Sequence, residues 1–109
     1  MINAEVKDNN ILITPKGEVN AQVGIKMKEI IKEKLGENKG IASVIIFFND
    51  VVYINSSGIR ELIDILKYLK SENKNLYLIG MSKEIREMFS FTNLDSVFNI
   101  FNNLEDIFK

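Results

Sequence analysis

The chain contains no cysteine and no histidine among its 109 residues. Those two absences remove disulfides, zinc sites of the usual type and every nucleophilic scheme that needs a thiolate or an imidazole base. A dominant charge is missing too. The 14 basic and 15 acidic residues are mixed along the chain and leave a net charge of −1. Such a balance offers no basic footprint for nucleic acid and no polybasic patch for an anionic membrane. Proline occurs once, and no apolar run approaches the roughly 20 residues that span a bilayer. The opening MINAEVKDNN has neither the basic nor the apolar region of a leader peptide. The expectation is a cytoplasmic protein with no metal, no cofactor, no nucleic-acid partner and no membrane partner. What is present is an apolar content of 46%, enough to build the core of one domain over residues 1–109.

Ile2, Ala4 and Val6 alternate with polar neighbours, Asp8-Asn9-Asn10 has turn composition, and Ile11 to Thr14 resumes an extended pattern. This predicts an N-terminal β-hairpin with one strand at a sheet edge. Pro15 and Gly17 end the second strand near Lys16, ahead of a turn over Gly17 to Asn20, and Asn20 is a fitting N-cap. Val23, Met27, Ile30, Ile31 and Lys34 mark one face of the following helix, in which Gly24 costs about 1 kcal/mol relative to alanine.

Val44 to Phe48 is apolar at every position, which predicts a strand buried on both faces. The polar tetrad Asn55-Ser56-Ser57-Gly58 follows, and then the period changes. Ile59, Leu62, Ile63, Leu66 and Leu69 recur at helical spacing, for a helix of about three turns that starts at Ser56 or Ser57. Leu76 to Gly80 reads as another buried strand, Ser82 as the cap of a helix carrying Ile85, Met88 and Phe89 inward, Val97 to Phe101 as a short strand and residues up to Phe108 as a terminal helix. Strands and helices thus alternate, which predicts an α/β fold. Its expected form is a mixed four- to five-stranded sheet flanked by about four helices.

In such sheets functional surfaces gather at the carboxyl ends of strands, where Asn55 to Gly58 is expected. A helix N-terminus there tolerates a phosphate on Ser56 or Ser57, because its free N–H groups carry about half a positive charge. The plainer reading is a serine N-cap followed by a glycine needed for close packing. No phosphate-binding glycine motif occurs. Asp50 is the lone carboxylate expected near the tetrad and fits a turn.

The segment Asn49 to Ile59, NDVVYINSSGI, together with Gly17-Glu18-Val19-Asn20, resembles the STAS domains, in particular the bacterial anti-sigma factor antagonists. The resemblance covers almost the whole chain. It implies a non-enzymatic switch that binds an anti-sigma factor with serine kinase activity when unphosphorylated, and is released by phosphorylation on Ser56. A phosphatase restores the complex. The resemblance also implies a recognition surface shaped by Asn20, Asn55, Ser57, Gly58, Ile59 and Arg60, on a monomer or weak dimer. Asn55 and Asn20 stand where the family usually or often carries aspartate, so two negative charges are missing near the phosphoacceptor. That departure supports an alternative: a STAS module that is never phosphorylated, binding a nucleotide or lipid or acting as a scaffold in a signalling or transport assembly.

Overall fold

The computed structural model describes residues 2–108. Strands β1 (Ile2–Lys7) and β2 (Asn10–Pro15) form the expected hairpin. Asp8 and Asn9 join them with φ of 52° and 67°, the left-handed pair that a two-residue hairpin turn requires and that asparagine and aspartate tolerate. Ile2 and Ala4 pack against the core, Val6 is exposed near the end of the strand, and β1 is one edge of the sheet.

Gly17 to Asn20 is not the turn the sequence predicts. Gly17–Val19 is a short strand, β3, and Asn20 then caps helix α1 (Ala21–Glu37). Between Phe48 and the tetrad lies a further strand that the sequence reading did not separate. Strand β4 (Ser43–Phe47) ends at an Asn49-Asp50 turn, and a separate strand β5 (Val51–Ile54) leads into helix α2 (Ser56–Ser71). At 16 residues α2 exceeds four turns, longer than the three expected from its apolar stripe.

The remaining helices and strands follow the predicted order, β6 (Asn75–Ile79), α3 (Lys83–Phe91), β7 (Asn99–Phe101) and α4 (Leu104–Ile107), but an unpredicted 3₁₀ turn over Leu94–Ser96 precedes β7, which starts at Asn99 and leaves out Val97. The main sheet has five strands in the order β1-β2-β4-β6-β7, antiparallel in the hairpin and parallel elsewhere, while β3 and β5 pair separately as a parallel two-stranded sheet.

Strand β4 is central and its apolar side chains divide between the two faces. Val44 and Ile46 join Ile11, Ile13, Leu76 and Leu78 in the core beneath α1 and α2, which supply Met27, Ile31, Leu62, Ile65 and Leu69. Ile45 faces the other side, where Leu12 and the C-terminal residues Leu104 and Phe108 line a groove of about 480 Å³. Its Asn10 pairs with Ser43, the first residue of β4. That groove therefore opens at the amino end of β4, away from the start of α2. Phe48 closes the core beyond β4, meeting Phe89 of α3 edge-on with ring centroids 6.4 Å apart.

Candidate functional site

The second, smaller sheet positions the tetrad. Gly17 donates its N–H to the Asp50 carbonyl at 2.9 Å, with φ of 77°, so the turn after β4 is tied to the beginning of β3. At the other end of the pair, the Asn55 N–H donates to the Val19 carbonyl at 3.2 Å. Helices α1 and α2 consequently begin side by side, one from Asn20 and the other from Asn55.

Both asparagines cap. The Asn20 side chain accepts from the Val23 N–H at 3.0 Å, and that of Asn55 accepts from the Gly58 N–H at 2.8 Å. The cap of α2 is thus Asn55 and not a serine, because Asn55 is the last extended residue (φ −94°, ψ 176°) and Ser56 already lies within the helix. Gly58 is buried against the Val19 carbonyl: a Cβ there would fall on its oxygen and lie 2.8 Å from its carbon. Glycine here is a condition for joining β3 to α2. Gly24 serves the neighbouring contact, since a Cβ on it would run into the Glu61 side chain. Beyond that crossing the helices are held by Lys28 to Asp64 at 3.1 Å, and Lys32 lies over the Tyr68 ring at 5.0 Å.

With the cap supplied by Asn55, the serines are released from that duty. Ser56 is the first residue of α2 and exposed, and Ser57 is half-buried. Arg60 is exposed, whereas Ile59 is half-buried and packs against the core. The structure therefore brings Asn20, Asn55, Ser56, Ser57 and Gly58 together around the Val19 carbonyl, with Arg60 one helical turn beyond Ser56. Asp50 contributes its backbone carbonyl, as a turn residue would.

Electrostatically the corner is open. Neither α1 nor α2 has an acid in its first turn, while α3 carries Glu84 in its own. Two adjacent helix N-termini whose own first turns carry no carboxylate favour an anion on the surface beside Ser56. Among the described residues no cluster of histidine, cysteine, aspartate or glutamate could hold a metal ion, and no helix is long and apolar enough to cross a membrane.

Sequence reasoning assigned no role to Val52 and Tyr53, which are 79% and 56% exposed on the strand leading to the tetrad. Gly17 aligns with Val51 but Glu18 aligns with Tyr53, so Val52 stands opposite no residue of β3. The irregularity interrupts the alternation and turns both side chains outward. No local pattern announces it, because it arises from the pairing of two segments far apart in sequence.

The STAS domain family model matches residues 1–107. The anti-sigma-B factor antagonist of Listeria monocytogenes is 29% identical over 104 residues, covering 93% of this chain and 90% of the relative. A crystal structure of a candidate anti-sigma factor antagonist from Thermotoga maritima superposes with a TM-score of 0.84 at 20% identity, covering 98% of this chain and 91% of the other. The Bacillus anti-sigma factor antagonist SpoIIAA, known in unphosphorylated and phosphorylated forms, gives a TM-score of 0.71 in each. Identity is 17% to the first form and 18% to the second. The alignments cover 97% of this chain in both cases, with 92% and 94% of SpoIIAA. At these identities the structural likeness concerns the fold. The family match spans nearly every residue, and on it the chain belongs to the STAS domain family.

Proposed function

We propose that this chain is an anti-sigma factor antagonist whose switch is phosphorylation of Ser56. The single observation that carries the reading is the division of labour at the start of α2: Asn55 caps the helix, leaving the Ser56 hydroxyl exposed at the carboxyl end of β5. An anti-sigma factor with serine kinase activity binds this corner and transfers the γ-phosphoryl group of ATP to Ser56 Oγ. ADP leaves and the hydroxyl proton is released. A phosphatase hydrolyses the ester and restores the free hydroxyl.

The physics supports a release signal. Phosphate adds about −1.5 to −2 charges at neutral pH. Charge left unpaired within a protein interface costs several kcal/mol, and about 4 kcal/mol lowers affinity roughly a thousandfold. Asn20, Asn55, Ser57, Gly58, Ile59 and Arg60 shape the surface, the first two and Gly58 by fixing the backbone. Regulation of this kind takes place in the cytoplasm and needs no catalytic group on this chain.

Incubation with a candidate anti-sigma factor that has serine kinase activity, in the presence of ATP, should place phosphate on Ser56. Mass spectrometry should find it on the wild type and not on Ser56→Ala, and Ser56→Asp should lose binding. No incorporation, together with undiminished binding by Ser56→Asp, would remove the switch. A nucleotide or lipid that co-purifies and raises the melting temperature would then favour the unphosphorylated module.

A further inference from the structure

We infer that Arg60 captures the phosphate on Ser56 within the same helix, so that modification is held by a group of this chain as well as opposed by the partner. The inference rests on the reading of Ser56 as phosphoacceptor and specifies how the modified state is stabilised. Ser56 is the first residue of α2 and Arg60 lies four residues on. On a helix that spacing puts the two on one face with Cβ atoms about 5–6 Å apart, and an anion N-terminal to the cation is the favourable order. Both side chains are exposed. The guanidinium reaches a phosphate with two parallel N–H donors, which neither a lysine nor an amide reproduces.

Arg60 is also uncommitted. The ion pairs among the described residues join Lys26 to Glu29 and Lys28 to Asp64, so no carboxylate claims the guanidinium. Asp64, the acid that would otherwise be its i,i+4 partner, is held by Lys28 of α1. Glu61, the adjacent acid, has its stem packed along Gly24. Asp50 lies in the turn before β5 and is exposed. The first turn of α2 contains no acid, so a phosphate on Ser56 would be the anion this end of the helix lacks. After capture the dianion and guanidinium together still carry about one negative charge toward an approaching partner. Phosphorylation can thus be locally stabilised and still oppose the complex.

Phosphoserine installed at position 56 by genetic code expansion tests this without a kinase. Phosphorus NMR should show the second phosphate ionisation about half a pH unit or more below the value near 6 of a free phosphomonoester. Arg60→Gln should return about half of that shift, and Arg60→Lys should keep more of it than Gln does. An unchanged ionisation in Arg60→Gln, with the amide spectrum showing an intact fold, overturns the capture. Because the phosphoserine is built in, this result is independent of the mass-spectrometric mapping, which alone decides whether a kinase uses Ser56.

Discussion

Helices α2 and α3 both follow a strand, and both begin on a capping side chain that accepts from the N–H three residues ahead, Asn55 from Gly58 at 2.8 Å and Ser82 from Ile85 at 3.2 Å. At α3 the third position is a core residue, Ile85, and Glu84 places a carboxylate in the first turn. At α2 the third position is a glycine pressed onto the Val19 carbonyl, and the first turn has no acid. One end is anchored by burial and electrostatically closed by its own sequence. The other is anchored by a backbone approach and left open, with a serine exposed at its first position. The difference separates a helix start that serves the fold from one that also presents a surface.

The strongest way to break the comparison is at Gly58. Gly58→Ala forces a methyl group against Val19, and with the N–H of Asn55 bonded to that same carbonyl there is little freedom to yield. Overpacking of this kind costs about 1–3 kcal/mol, and urea denaturation should show the midpoint falling accordingly. Partner binding should weaken with it, because β3 and the start of α2 separate. Ser56→Ala should leave the midpoint close to wild type while abolishing phosphorylation, which distinguishes the scaffold residue from the modified one.

Removing the caps comes next in size. Asn55→Ala and Ser82→Ala each leave an N–H without its partner and should each cost about 1 kcal/mol, read as equal shifts in the denaturation midpoint. Their effects on binding should differ: loss of Asn55 disturbs the position of Ser56, whereas loss of Ser82 acts on a helix that meets the core through Ile85 and Phe89. Equal losses of affinity in the two variants would mean that the α2 corner has no special place in recognition.

How much of this corner could be read from the sequence depends on the length of the element concerned. The hairpin, α1, α2, α3 and strands β4 and β6 were legible because each has enough residues to display a period or a continuous apolar run. Strands β3 and β5, of three and four residues, have too few. The Asn49-Asp50 turn contains no glycine or proline, so Val44 to Ile54 reads as one apolar stretch interrupted by polar residues. Asn55 was noticed for the charge it lacks, and its capping role emerges only from the extended backbone at that position. Gly24 illustrates the same limit. Locally it is a weak helix former, and its reason for being there is Glu61, which lies on another helix. Ile65, buried at the centre of α2, escaped the apolar stripe because a helix pressed between the sheet and α1 hides a wider face than a/d spacing implies.

The smallest effect is the one that most directly exchanges the characters of the two helix ends. Asn55→Asp keeps the cap geometry and adds the missing negative charge to α2, while Glu84→Gln removes the charge that closes α3. A favourable charge near a helix N-terminus contributes about 0.3–1 kcal/mol at low ionic strength and fades with added salt. Asn55→Asp should therefore raise the denaturation midpoint and Glu84→Gln should lower it, by similar amounts that both shrink as salt increases. On the form with phosphoserine at position 56, Asn55→Asp should lose its stabilising effect or reverse it, because the carboxylate then lies beside a phosphate with about −1.5 to −2 charges. Glu84→Gln should act alike on both forms. If Asn55→Asp stabilised the phosphorylated protein as much as the unmodified one, the phosphate would not be held at the start of α2, and the open character of this helix end would have no bearing on the modified state.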